Sequence, residues 1–326
     1  MHPRAFPSLR RRTWLALAAA TLASPWALAQ DKPLRLVVAG PAGGNADLVA
    51  RIVAEPLARE LDRPVIVDPK PGAAGAIAVG ELLQAPPDGN TLLVGVNSLV
   101  SEIPHIVKLR WQMDQALRPV AELARGGLVL VAHPSVPAST VPQLVAYAKE
   151  HPGKLSYASY SPGTMSHVLG AILNRAAGIE LLHVGYKGST PALADVMGNH
   201  VPLMFDGLPT SLPLVRSGKL KALAVSAPQR VAQLPDVPTF REAGYPQLEA
   251  VAWMGLWTAP QVPAATQARL RAATLKALAE RGLRARMLET KLEAGLPRGV
   301  DAMARELRTD YERVGAVLKS VGFRPE

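Results

Sequence analysis

The chain has 326 residues, 48% of them hydrophobic, with 36 Lys and Arg against 26 Asp and Glu and no cysteine. Its length exceeds the usual size of one hydrophobic core and favours two domains, and the lack of cysteine excludes disulfides and thiolate metal sites, leaving packing to supply stability. A formal charge of +10 favours anionic ligands, but the basic residues are scattered among acids with no aromatic-interleaved run, which speaks against a nucleic-acid surface.

Residues 1–29 contain Arg4, Arg10, Arg11 and Arg12, then an apolar run from Trp14 to Ala23 and the small-residue triplet Ala27-Leu28-Ala29. That is the order of a cleavable export signal, cut before Gln30, and it predicts a periplasmic mature chain. The apolar run is shorter than the roughly 20 residues that span a bilayer. Arg11-Arg12-Thr13-Trp14-Leu15 leaves twin-arginine and general secretory export both open.

Further along, Leu34 to Ala39 reads as a buried strand. It is followed by the loop Pro41-Ala42-Gly43-Gly44-Asn45 and a helix from about Ala46 to Leu61, with Leu48, Val49, Ile52, Val53 and Leu57 at helical spacing. Pro64 to Val67 is the next strand, Pro71-Gly72-Ala73-Ala74-Gly75 the next loop, and Ile77 to Leu83 the next helix. The turn Pro86-Pro87-Asp88-Gly89 precedes a strand from Thr91 to Val96. A similar order returns with strand Leu155 to Ser159, loop Ser161-Pro162-Gly163-Thr164 and helix Ser166 to Ala176. Strand Glu180 to Val184, loop Tyr186-Lys187-Gly188-Ser189, helix Pro191 to Met197 and strand Val201 to Asp206 complete it. Two β-loop-α-β-loop-α-β units predict two α/β lobes. The apolar runs Gly127 to Ala132 and Lys219 to Ser226 are the predicted crossings. They make residues 126–228 an inserted second lobe and assign 30–125 and 229–326 to the first. Helical patterns at Ala264 to Leu283 and Val300 to Leu318 should pack on that first lobe.

In open α/β sheets ligands gather outside the carboxyl ends of the strands. Four small-residue loops sit at such ends, each ahead of a helix: Gly43-Gly44-Asn45, Gly72-Ala73-Ala74-Gly75, Ser161 to Thr164, and Lys187-Gly188-Ser189. Small residues admit a ligand to the backbone, and the first N–H groups of a helix lack intrahelical partners and carry partial positive charge. Such loops, two from each lobe, can bind a carboxylate without a dedicated arginine. Taken singly, each also reads as a tight turn with an N-cap.

Ala42-Gly43-Gly44-Asn45-Ala46-Asp47, Pro71-Gly72-Ala73, Pro87-Asp88-Gly89-Asn90-Thr91, Gly163-Thr164 with His167, and Tyr186-Lys187-Gly188-Ser189 with Pro191-Ala192-Leu193 form an ordered series of motifs. Leu234-Pro235-Asp236-Val237-Pro238-Thr239-Phe240 comes next, with Glu242-Ala243-Gly244 and Trp253 beyond it. The series resembles the substrate-binding receptors of tripartite tricarboxylate transporters, the Bug proteins, over nearly the whole mature chain. The resemblance implies a type II-like periplasmic binding fold, with two lobes joined by two crossing strands. It also implies an organic-acid ligand held in the interlobe cleft by loop amides, hydroxyls and waters, with no cofactor. The implied partners are membrane transporter subunits or, alternatively, a sensor protein, and the chain is expected to be a monomer.

Carried onto this chain, the family motifs place Gly43, Gly44 and Asp47 in the first loop, Gly72 and Ala73 in the second, Thr164 and His167 in the third, and Lys187 and Gly188 in the fourth. The chain departs from the pattern where Asn45 and Ala46 replace two hydroxyl residues, Ala74 replaces a Gly and Ala76 an Asn, and Ser161 stands after Tyr160 at a common Gly. The segment Trp111 to Val120 lacks the usual Tyr-Asp-Pro start. Fewer polar groups in the first lobe favour a monocarboxylate with an aromatic or apolar tail.

Several roles stay open. Asp47 either orients the first loop or is an acid favoured by the helix dipole. His167 either donates to the ligand or braces its loop. Lys187 either attracts anions or is a solvated lysine. Asp206 fixes a water or the Lys187 loop, or caps the segment after it. Gly163 should let a carboxylate approach closely. Asn97 and Ser98 are candidate donors at a strand end, and Trp253 and Trp257 read as core or interface aromatics. An enzyme is not favoured: no Gly-x-Ser-x-Gly elbow, P-loop or His-x-x-x-His pair is present, and adjacent Ser166 and His167 diverge by about 100° on a helix. A periplasmic hydrolase or lyase is the remote alternative.

Overall fold

Leu34–Val38 (β1) is apolar at every position except Arg35 because helices cover both of its faces. Leu34, Leu36 and Val38 enter one core cluster and Val37 the other. The computed structural model describes residues 32–290 and 292–320. The export signal and the cut before Gln30 lie outside the described residues.

β2 (Val65–Pro69) and β3 (Thr91–Val96) lie parallel to β1 on either side of it, and the longer β4 (Arg118–Gly126) follows in the chain. The chain then enters a second sheet of β5 (Leu128–Ala132), β6 (Ser156–Ser159), β7 (Leu182–Gly185), β8 (Leu203–Gly207) and β9 (Lys221–Val225), ordered β7-β6-β8-β5-β9. It returns as β10 (Ala252–Thr258) and β11 (Glu293–Ala294), completing a first sheet ordered β11-β4-β10-β3-β1-β2.

Asn45–Leu61, Ala264–Ala279 and Arg281–Glu289 cover one face of the first sheet, and Ala76–Gln84 and Val300–Ser320 the other. In the second sheet β5 alternates in the same way. Leu128, Leu130 and Ala132 pack with Val141–Glu150 and Met165–Ala177, while Val129 and Val131 pack with Ser189–Met197 and Leu208–Arg216.

The predicted helix from Ala264 to Leu283 is in fact two, because Glu280 leaves helical geometry at φ −61°, ψ 130°. The crossings also differ from expectation. Gly127 to Ala132 and Lys219 to Ser226 form β5 and β9 of the second sheet, and the passage out of the first sheet is the β4–β5 junction at Gly126 and Gly127. Phe240 and Leu248 belong to the core of the second sheet, so residues 229–250 pack with the lobe they were expected to leave. The return is at Ala250. There Ser226 Oγ donates to Ala250 O at 2.8 Å and accepts from Leu128 N at 2.9 Å, clasping the two connections together. Ala252 pairs with Gly126, so both connections run side by side between the lobes.

Candidate functional site

The carboxyl ends of β1 and β3 face those of β6 and β8 across a cavity of about 390 Å³. The first loop reaches it through Gly44 and Asn45, the second through Gly72 and Ala73, the third through Ser161 and Thr164, and the fourth through Lys187 and Gly188. All four loops therefore meet at one place. Gly44, Thr164 and Gly188 are the N-caps of their helices and none makes a side-chain capping bond. Thr164 Oγ1 donates instead to Ser161 O at 2.7 Å. Tight turns do close the first and third loops, Gly44 N donating to Pro41 O at 3.1 Å and Thr164 N to Ser161 O at 3.3 Å. The helix after the third loop has its first turn met by Ser98 Oγ at Met165 N, Tyr160 at Ser166 N and Thr164 O at His167 N, so it is the starts of the Asn45–Leu61 and Ser189–Met197 helices that are left to an anion.

Other predicted residues support the loops from behind. Gly43 adopts φ +73°, and its N–H donates to Asp47 Oδ2 at 2.8 Å. Buried Asp47 also accepts from Arg51 Nε at 2.9 Å, so its carboxylate orients the first loop. Gly163 N donates to His167 Nδ1 at 3.2 Å, and the His167 ring stacks on His183 with centroids 3.6 Å apart. Burial, together with the neighbouring His183, pushes His167 down to about 3, and burial pushes His183 down to about 4, so both rings are neutral at physiological pH. A neutral Nδ1 accepting the Gly163 N–H is a brace for the third loop.

Asp206 is fully buried. Its Oδ1 accepts from Ser189 Oγ at 2.6 Å, and its Oδ2 from Thr210 Oγ1 and from Ser211 Oγ at 2.7 Å. It therefore ties the start of the Ser189–Met197 helix to the start of the next. Asn97 does not line the cavity. Its Oδ1 accepts from Trp253 N at 3.1 Å, and its N–H donates to Trp253 O at 2.9 Å, which locks the end of β3 to β10.

The lobes are in contact across the cleft. Ser98 Oγ accepts from Met165 N at 3.3 Å, and Thr210 Oγ1 lies 3.3 Å from Asn45 Oδ1. A Cβ on Gly188 would fall 2.2 Å from Pro41 Cδ, and one on Gly207 would fall 2.3 Å from Asn45 Nδ2. Such distances have no room for a side chain, so the glycines set how far the cleft can shut. Ile106, Val314 and Leu318 pack on Val168 in a small apolar cluster at the same seam.

The sequence reading missed Arg125, Met254 and Gly207, which also line the cavity, and it left Trp253 as core or interface. Trp253 is both: it stacks on Trp257 with centroids 5.3 Å apart and walls the cavity. Arg125 was the least foreseeable. Glu122 and Arg125, three apart, would face opposite sides of a regular strand, but β4 carries a bulge between its pairings Ala124↔Met254 and Glu122↔Gly255. The extra residue turns both charges to one side, where Arg125 Nε lies 2.8 Å from Glu122 Oε1. Among the described residues no group of three His, Cys, Asp or Glu is placed to hold a metal ion, and no helix is long and apolar enough to cross a membrane.

Comparison with known proteins gives the same architecture. The chain is 31% identical over 322 residues to a UPF0065 protein of Bordetella pertussis, covering 98% of this chain and 99% of that one. The solved periplasmic binding protein BugD superposes with TM-score 0.84 at 30% identity, covering 90% of this chain and 99% of BugD. A structure described as R. palustris Rpa4515 with adipate superposes with TM-score 0.85 at 27% identity, covering 91% of this chain and 99% of that one. The tripartite tricarboxylate transporter family receptor model matches residues 49–323, and the chain belongs to that family.

Proposed function

We propose that this periplasmic receptor shuts its two lobes on a small organic acid whose carboxylate is held by the first-turn N–H groups of the Asn45–Leu61 and Ser189–Met197 helices, one from each lobe. Gly44, Asn45, Thr164 and Gly188 are the contact positions, joined by Gly72, Ala73 and Ser161. Gly43, Asp47, Gly163, His167, Asp206 and Asn97 hold those loops in place. The observation that carries the reading is the meeting of the Asn45–Leu61 and Ser189–Met197 helix starts, one from each lobe, at one cavity whose lining has no carboxylate. Adipate in the similar Rpa4515 structure supports an acid as ligand. The role is reception and not catalysis, and the chain works as a monomer that presents its closed form to the membrane subunits of the transporter.

Closure follows from differential contact: an acid that touches both lobes only when they are shut favours the shut state by that extra contact energy. The test is calorimetric titration of the mature chain with adipate, malate, citrate, glutamate and benzoate, and with the corresponding amides. At least one acid should bind and its amide should not. Gly207→Val should weaken that acid on the order of 10- to 100-fold by wedging the cleft against Asn45, with Asn45→Ala in the same chain recovering part of the loss. Binding of amides as tightly as acids, or of no acid, would refute the reading.

A further inference from the structure

Among the described residues of the Val300–Ser320 helix, four apolar side chains are buried along one stripe, Met303 and Leu307 followed by Val314 and Leu318. The first pair enters the core of the first lobe beside Trp253 and Trp257. The second pair does not. Val314 and Leu318 pack on Ile106, from the segment between β3 and β4, and on Val168 of the Met165–Ala177 helix, which belongs to the second lobe, with Ile172 of that helix at the margin. A helix rooted in the first lobe therefore ends on the other lobe.

The same helix also stands behind one wall of the cavity. Leu99, Ile103 and Val107, from the segment between β3 and β4, form that wall, and Ser98 of the segment accepts the Met165 N–H from the second lobe. His105 Nε2 lies 2.7 Å from Tyr311 O, and its ring lies against Tyr311 with centroids 3.9 Å apart, which fixes the segment to the helix. A Cβ on Gly315 would fall 2.6 Å from His105 Cε1, so a glycine is what lets the helix come this close. None of Ile106, Val168, Val314 and Leu318 lines the cavity, and each is at most 4% exposed. Parting the lobes would return the facing sides of Val168, Val314 and Leu318 to water, so this contact favours the shut state whether or not a ligand is bound.

We propose that the end of the Val300–Ser320 helix is a latch that holds the lobes together independently of the ligand, so that the empty receptor already populates the shut state. The apparent affinity for a ligand scales with the fraction of protein in the competent state, so the latch sets the affinity for every ligand by the same factor. Val314 and Leu318 act on binding without touching what is bound. The inference rests on the lobe closure proposed above, and not on the identity of the acid.

The chain has no cysteine, so labels can be placed at chosen positions alone. Spin labels on Ile66→Cys and Leu182→Cys report closure best, because both positions are half-exposed on β2 and β7, the edge strands farthest from the β4–β5 crossing in each sheet. Pulsed dipolar spectroscopy of the ligand-free mature chain should show a short, shut distance population, which Leu318→Ser reduces relative to the open one on the order of 10-fold. Val168→Ser, on the opposite lobe, should do the same, and it carries the test if Leu318→Ser fails to fold. In titration calorimetry every acid of the panel that binds should be weakened by one common factor in Leu318→Ser. A ligand-free wild type found wholly open, or a folded variant with an unchanged distance ratio, overturns the latch, as do losses of affinity that differ from acid to acid. If no acid binds, the carboxylate reading fails while the distances still judge the latch.

Discussion

Replacing Asp206 with alanine is expected to destabilise the protein by about 3–5 kcal/mol. The carboxylate is fully buried and accepts from three hydroxyls, those of Ser189, Thr210 and Ser211. Burial pushes its pKa up, and the three hydroxyls with the Gly207 N–H oppose that shift. Removing it leaves Ser189 and Ser211, both buried, without their acceptor, and an unmet buried donor retains its full desolvation penalty. Asp206→Asn should fall between the two, since one amide oxygen can replace only part of the set. The measurement is urea unfolding at neutral pH. A change below about 1 kcal/mol for Asp206→Ala would show that the cluster is not a structural hub. Ligand affinity should fall as well, because Ser189 begins a site helix and Thr210 meets Asn45 across the cleft.

Glu102 should give the chain a large pH response of its own. It is fully buried at the seam between Ser98, which accepts the Met165 N–H from the other lobe, and the Val300–Ser320 helix. Ser101 Oγ donates to its Oε2. Burial pushes its pKa up to about 7, aided by Asp310 and opposed by Ser101, Ser98 and Arg313. With a folded pKa above the ordinary value of 4.5, the folded state holds a proton that the unfolded state has released. The resulting stability is fully present below pH 4.5 and is lost as pH rises through about 7. A shift of that size is roughly 3 kcal/mol. Glu102→Gln should therefore gain stability relative to wild type by about that amount as pH rises from 4.5 to 8. The depressed pKa values of His167 and His183 act in the opposite sense, their contribution being lost as pH falls from 6.5 through about 4 and 3, but they are common to both proteins and cancel in the difference. Parallel stability profiles for the two proteins would contradict the assignment.

Much of the architecture was readable because helix and strand periods alternate cleanly where elements are covered on one face or both. Thr91 to Val96 is β3 end to end, and the four small-residue loops meet as their positions after strands implied. β4 and β10 were not readable. β4 buries Glu122, and β10 is an aromatic strand interrupted by Gly255, so neither shows a plain apolar pattern. The crossings were misplaced for a related reason. An apolar run ahead of proline marks a buried strand equally well, and only the packing of Phe240 and Leu248 shows which sheet owns residues 229–250. At the site, the roles of Asp47, His167 and Asp206 depended on which hydrogen bonds their neighbours offered, and Asn97 is bound to Trp253, a residue 156 positions away. Arg125 was hidden by a bulge, which no residue type announces.

The central claim is that a carboxylate rests on backbone amides supplied by both lobes. A crystal structure of the mature chain with the tightest-binding acid of the panel tests it directly. The carboxylate oxygens should lie within hydrogen-bond distance of main-chain N–H groups at the starts of the Asn45–Leu61 and Ser189–Met197 helices. A ligand held through side chains alone, or bound outside the interlobe cavity with those amides untouched, would contradict it.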